Sequence, residues 1–284
     1  MDIRLGDNQY GKAETRLVRV DRDTDGHTVT DLNVSTALSG DLAATHLTGD
    51  NAGVLPTDTQ KNTVFAFARD GVGEIEDFAS RLATHFVDTV PTIHRARVRI
   101  ERYTWDRRGH HSFVRGAGTR TTTVTYDGAA RTVVSGVDDL VVMNTTGSEF
   151  HGFHSDRYTT LPETSDRILA TAVTARWRHT APENADWAES HREATRHLLD
   201  AFAETHSLSL QQTLHAMGER VLRRRDELAE VRLSLPNKHH FLVDLSPFEL
   251  DNPGEVFFAA DRPYGLIEGS VVRDGAPDAG LAWW

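Results

Sequence analysis

The sequence contains no cysteine. Disulfide staples, thiolate nucleophiles, cysteine-based zinc sites and iron–sulfur clusters are therefore excluded together. No apolar run reaches the length needed to cross a bilayer. The opening residues, Met1-Asp2-Ile3-Arg4-Leu5-Gly6, carry no signal-peptide core, and the closing Leu281-Ala282-Trp283-Trp284 is no Ser-Lys-Leu peroxisomal address. A cytoplasmic protein is expected. Excess positive charge is also lacking. The net charge of −11 and pI near 5.7 argue against nucleic acid or an anionic membrane as the main partner. An anionic substrate would need its own local basic residues. No phosphate-binding glycine loop occurs, Gly71-Val72-Gly73 being the nearest approach, and there is neither a His-Glu-x-x-His nor a Gly-x-Ser-x-Gly motif. Adjacent pairs among the 15 histidines, His110-His111 and His239-His240, point to opposite faces if they lie on strands, so no metal site is expected.

What is present suffices for one large domain or two packed modules: 284 residues, 38% hydrophobic and 26% charged. Segments 10–22 and 27–38 read as a strand pair turning at Gly26, and a loop follows from Gly40 to Gly53. A short helix is expected over 62–69. A longer amphipathic one is expected over 74–89, where Ile75, Phe78, Leu82 and Phe86 recur at three- and four-residue spacing before Pro91. Residues 95–101 alternate with period two, 119–126 are rich in β-branched residues, and Asp127-Gly128 signals a hairpin. The strand 130–144 carries an expected interruption at Gly136. Beyond it come a strand over 168–178, a helix over 184–204 with Trp187, His191, Leu198 and Phe202 on one face, and a helix capped by Ser207 or Ser209. Strands over 231–235, 239–245, 255–260 and 266–272 finish the sheet. Strand-strand-helix-helix-strand-strand, given twice, implies an α+β class with antiparallel sheet and helices on one face. The boundary is placed near residue 146, giving modules 1–146 and 147–284.

Two polar stretches interrupt this pattern. In Val54-Leu55-Pro56-Thr57-Asp58-Thr59-Gln60-Lys61-Asn62-Thr63, Pro56 biases Leu55 toward an extended conformation, and Thr57 or Asp58 can cap a helix. Such an entrance suits either a structural cap or a flat anionic ligand. The second stretch is Leu235-Pro236-Asn237-Lys238-His239-His240-Phe241.

Taken with five further segments, these stretches resemble the urate oxidase (uricase) family. The segments are Tyr10-Gly11-Lys12, then Phe150-His151-Gly152-Phe153 with Asp156-Arg157-Tyr158-Thr159-Thr160-Leu161-Pro162-Glu163-Thr164 and Asp166-Arg167-Ile168-Leu169, then Ser209-Leu210-Gln211-Gln212-Thr213, Val256-Phe257, and Gly265-Leu266-Ile267. The resemblance runs through nearly the whole chain in the family's order. It implies tandem tunnelling-fold (T-fold) modules, a barrel closed by oligomerisation into a homotetramer, and active sites at subunit interfaces. It also implies oxidation of urate by dioxygen to 5-hydroxyisourate and hydrogen peroxide, with no metal and no cofactor.

The resemblance assigns roles residue by residue. Phe150 stacks on the purine, Arg167 and Gln211 clamp its opposite edges, and Leu210 and Asp58 offer backbone N–H groups. Lys12 and Thr57 form a proton-handling dyad lent by a neighbouring subunit, and His239 extends it. Asn237 and Thr57 hold dioxygen and later water. Each residue also has a bland reading. Phe150 is then a core aromatic, Arg167 an ion pair with Asp166 or Glu163, Gln211 a solvent-facing amide, Lys12 a solvated edge lysine and His239 a core histidine bonded to backbone. Two other functions fit the same fold: a purine- or pterin-transforming hydrolase, which would use a glutamate and often zinc, and a non-catalytic purine-binding protein.

Overall fold

Alternation of apolar and polar side chains puts one face of β-strands such as Ile93–Arg107 in the core, whereas Leu169–His179 is buried along nearly its whole length. The computed structural model describes residues 3–22, 26–183, 185–260 and 262–283. Met1, Asp2, Asn184 and Trp284, on which sequence readings fell, lie outside these. The chain divides into two compact units. One comprises Met1–Gly136, Arg178–His191 and Pro277–Trp284, the other Val137–Trp177 and Arg192–Ala276.

The first unit contains β1 (Thr15–Asp21), β2 (Thr28–Gly40), α1 (Ala43–Thr48), α2 (Thr57–Asp70), α3 (Ile75–Thr89), β3 (Ile93–Arg107), β4 (Phe113–Tyr126) and the start of β5 (Arg131–Asn144). Its strands pair in the order β1-β2-β3-β4-β5, antiparallel from β1 to β4. The predicted amphipathic helix is α3: Ile75, Phe78, Leu82 and Phe86 are all 0% exposed, packed with Val34, Val98, Ile100 and Val124 of the sheet. Each such side chain contributes about 1.5–3 kcal/mol by leaving water. The second unit contains the rest of β5, then β6 (Leu169–His179) up to Trp177, most of α4 (Trp187–Glu204), α5 (Leu210–Arg224), β7 (Leu228–Asn237) and, last in the sheet, the strand Gly265–Val272. Leu198, Phe202, Met217 and Val221 face Trp177, Val231 and Leu235 in its core. The α+β class holds, and the twice-given strand-strand-helix-helix-strand-strand order is kept except that α1 adds a short third helix to the first run and a two-stranded ribbon precedes the last strand of the second. Among the described residues no helix is long and apolar enough to cross a membrane.

Several local expectations are corrected. The loop 40–53 contains α1, whose residues are all at least partly exposed and so give no hydrophobic period. Helix α2 begins at Thr57, not Asn62, because its inward face opens with the fully buried polar Gln60. Gly136 does not break β5, where it is buried. Strands β8 (His240–Leu242) and β9 (Phe257–Ala259) do not extend the sheet but form a separate two-stranded ribbon, leaving Gly265–Val272, here β10, to pair with β7. His110 and His111 lie in the β3–β4 connection, not on a strand.

The first unit also buries a polar chain. The Glu76 carboxylate, 0% exposed, accepts from Arg120 Nη2 at 2.7 Å and from the Ser135 hydroxyl at 2.8 Å. His179 Nε2 lies 3.0 Å from that same hydroxyl. Burial pushes the Glu76 carboxyl up, against the pull of Arg120. Nearby, burial drives His191 down from 6.5 to about 3, with the Arg120 charge adding to the shift. Between those values the unfolded chain takes up a proton that the folded chain refuses. His191 therefore costs nothing above pH 6.5, and stability falls by about 1.4 kcal/mol per pH unit as pH drops below it. Urea midpoints measured from pH 7.5 to 4.5 should fall more steeply for the wild type than for His191→Leu. Equal slopes would contradict a buried neutral His191.

Candidate active site

In the first unit, Tyr10-Gly11-Lys12 runs along β2 and is fastened to it by backbone. Tyr10 and Leu38 exchange N–H···O bonds of 3.0 and 2.7 Å, Thr36 N donates to the Lys12 carbonyl at 2.9 Å, and Lys12 N donates to the Thr36 hydroxyl at 3.2 Å. A Cβ on Gly11 would fall 1.8 Å from the Thr36 carbonyl oxygen, so only glycine fits. The same segment is tied to the entrance of α2. The Tyr10 hydroxyl donates to Leu55 O and accepts from Leu55 N, both at 2.9 Å. Gln60 accepts from the Thr36 hydroxyl at 2.7 Å and donates to Leu55 O at 3.3 Å. Lys12 and Thr57 are thus carried on two segments fixed to one buried amide.

The N-cap of α2 is Pro56, with φ −53 and ψ 141, and no side chain caps the helix. This corrects the expectation of a Thr57 or Asp58 cap, and it leaves the first-turn N–H groups available to a ligand. The Asp58 carboxylate is turned along the helix instead, accepting from Lys61 Nζ at 2.5 Å and Asn62 Nδ2 at 3.0 Å. Lys61 holds that carboxyl below the usual range, and the charge of Lys12 adds to the effect. Among the described residues neither Lys12 Nζ nor the Thr57 hydroxyl makes a hydrogen bond, so the two are not bonded to each other.

In the second unit, Phe150 and Thr164 exchange backbone bonds of 2.8 and 3.0 Å, and Arg167 N donates to Ser148 O at 2.8 Å. These bonds set the Arg167 guanidinium 5.1 Å from the Phe150 ring centroid. Neither bland ion pair forms: Asp166 accepts from Gly147 N at 3.0 Å and Glu163 from Gly152 N at 2.8 Å. Arg167 Nε donates to the Ser148 hydroxyl at 3.3 Å, and its terminal nitrogens bond to no described residue. Burial lowers its pKa, yet an arginine remains charged throughout the working range. Among the described residues it is a half-buried cation without a carboxylate partner. Asn237 ends β7 opposite Gly265, and Lys238 N donates to Ala170 O at 2.8 Å. His239 follows; burial first, then the charges of Arg167 and His240, pull its pKa down. It is therefore neutral at pH 7 and able to pass a proton.

At α5, Ser209 is the cap, accepting from Gln212 N at 3.2 Å, and Gln212 Oε1 accepts from Leu208 N at 2.7 Å. Of the two adjacent glutamines, Gln212 is occupied locally. Gln211 is exposed and bonds to no described residue. Leu210 is buried in the second unit's core at 1% exposure, so only its backbone can face a ligand.

The Uricase family model matches residues 8–131 and 133–268. A uricase from Arthrobacter globiformis is 52% identical over 275 residues, covering 96% of this chain and 91% of that protein. One from Dictyostelium discoideum is 38% identical over 280 residues, covering 95% and 97%. The chain belongs to the uricase family. The crystal structure of the Arthrobacter globiformis uricase superposes with a TM-score of 0.96 at 50% identity, covering 100% of this chain and 99% of that one. The chain is accordingly an oxidoreductase with the T-fold, and its reaction is the oxidation of urate.

Two features of this uricase site escaped the sequence reading. Phe153 stacks on Phe150, with centroids 5.0 Å apart and ring planes 16° apart, a pairing hinted at by the Phe-x-x-Phe spacing. The chain has only three lysines, Lys12, Lys61 and Lys238, and each stands in one of these segments. In a protein that otherwise uses arginine for positive charge, that restriction was itself a signal. The two glutamines give a direct test. Gln211→Ala should raise KM for urate at least tenfold with an unchanged unfolding midpoint. Gln212→Ala should cost about 1 kcal/mol of stability with little change in KM. The reverse pattern would move the clamp to Gln212.

Proposed function

We propose that urate is oxidised in a site assembled from these two groups, the Lys12–Thr57–Asp58 group of one subunit and the Phe150–Arg167–Gln211 group of a neighbour in a homotetramer. The observation that carries the reading is Arg167, half-buried over an aromatic ring with its terminal nitrogens uncommitted. A flat anion rich in acceptors matches it: Phe150 takes the purine face, Arg167 a carbonyl oxygen and ring nitrogen, Gln211 the opposite edge. Backbone N–H groups at Leu210 and Asp58 complete the grip, the latter favoured by the uncapped positive end of α2.

Holding urate between a guanidinium and an amide stabilises its deprotonated, electron-rich form. That form passes an electron to dioxygen held at Asn237 and Thr57, and recombination gives a hydroperoxide at C5. Water then replaces the hydroperoxide, giving 5-hydroxyisourate and hydrogen peroxide. Lys12 and Thr57 move the proton, with neutral His239 as the relay outward. The substrate supplies the reducing power, and the protein supplies orientation and proton routing.

Urate in air, followed by its absorbance together with peroxide detection, tests the reading. Equimolar urate loss and peroxide release are expected. Urate loss without peroxide would favour a hydrolase, and binding without loss a non-catalytic protein. Lys12→Ala should lower kcat at least a hundredfold while shifting urate affinity only a few-fold. Parallel losses in both would make Lys12 structural.

A further inference from the structure

Beside the clamp lies a cluster to which the reaction gives no role. The Glu149 carboxylate accepts from His206 Nε2 at 2.5 Å through Oε1 and from His151 Nε2 at 2.6 Å through Oε2. Each ring meets a different oxygen, and among the described residues no three acidic or histidine side chains form a metal-ligand set. The carboxylate is a clasp between two chain segments. One bears Phe150 next to Glu149. The other, the α4–α5 connection, leads from His206 into Ser209 and Gln211.

Backbone already draws these segments together: Glu149 N donates to Ser207 O at 2.8 Å and Ser207 N to Gly147 O at 2.9 Å. The Thr213 hydroxyl of α5 then donates to the Ser207 hydroxyl at 2.8 Å. On the opposite side, Ser148 carries both the backbone and the Nε bond of Arg167. Arg167 and Gln211, which grip opposite edges of one rigid ring, are therefore joined through residues 147–149 and 206–209. The spacing of those two segments decides whether both edges can be held at once.

We propose that Glu149, acting through His206, is a positioning residue that sets the distance between the Phe150–Arg167 clamp and Gln211. The inference rests on the assignment of urate to that clamp. Hydrogen bonding from His206 first and His151 second keeps the Glu149 carboxyl below the usual range, so it stays ionised. The other charged groups on the packed segments are committed elsewhere, Glu163 to Gly152 N, Asp166 to Gly147 N and Arg167 to Ser148. The histidines are 55% and 61% exposed, so the bonds contribute little to stability and the effect falls on ligand spacing.

The test compares anaerobic urate binding, which reports affinity without turnover, with aerobic KM and kcat. Glu149→Ala and His206→Ala should each weaken binding and raise KM about three- to tenfold, with a smaller change in kcat and an unfolding midpoint close to that of the wild type. The double variant should be no worse than either single one. Glu149→Gln, whose amide still reaches a ring, should restore most of the affinity. Unchanged binding in Glu149→Ala, or losses that multiply in the double variant, would overturn the clasp. A wild-type chain that neither binds nor oxidises urate would overturn the assignment of the site itself.

Discussion

Gly11 approaches the Thr36 carbonyl so closely that no side chain could stand there, and the first half of the site depends on that approach. It lets an irregular segment share the hydrogen bonds of a buried strand without being one. The backbone groups of Tyr10 and Lys12 are satisfied by Leu38 and Thr36, so the segment is rigid and the Lys12 side chain is left uncommitted. The second half follows the same rule. Residues 147–150 take their bonds from Ser207, Thr164 and Arg167, and His239 accepts from Ala260 N at 2.9 Å. In both units the candidate groups stand on irregular segments or at the ends of helices and strands, and the rigidity comes from the sheet and helix cores beneath them.

Electrostatics sharpen the arrangement. A chain of net charge −11 must concentrate positive charge wherever an anionic substrate is to bind, and the proposed clamp meets that need. It does so with a guanidinium that has no carboxylate partner among the described residues, and with a helix entrance whose acidic residue is neutralised by Lys61 rather than aimed at the opening. The same guanidinium, after burial, lowers the His239 pKa, so one cation bears on both the proposed clamp and the proposed relay.

Much of this was legible in the residues. The periods of α3 and β3, the Asp127-Gly128 turn and the Ser209 cap follow from local rules, and the structure repeats them. What was hidden had polar residues doing the work of apolar ones. Gln60, turned inward, concealed the first turn of α2 and made a helix start resemble a loop. The residues α1 exposes gave no period, and the ribbon β8–β9 is three residues per strand, too short for one. The candidate site residues were proposed through family resemblance, since any one of them alone has a bland alternative. Structure removed that alternative for Arg167, whose expected ion-pair partners bond elsewhere, and separated Gln211 from Gln212. The clasp at Glu149 was invisible, because His206 lies 57 residues away in sequence.

The central claim is that the catalytic and clamping groups act together only when different subunits bring them into one site. Lys12→Ala and Arg167→Ala chains, each nearly inactive alone, should regain a substantial fraction of urate turnover when denatured together and refolded as a mixture, because some sites then draw Lys12 and Arg167 from different intact partners. A mixture no more active than its two components would contradict the shared site.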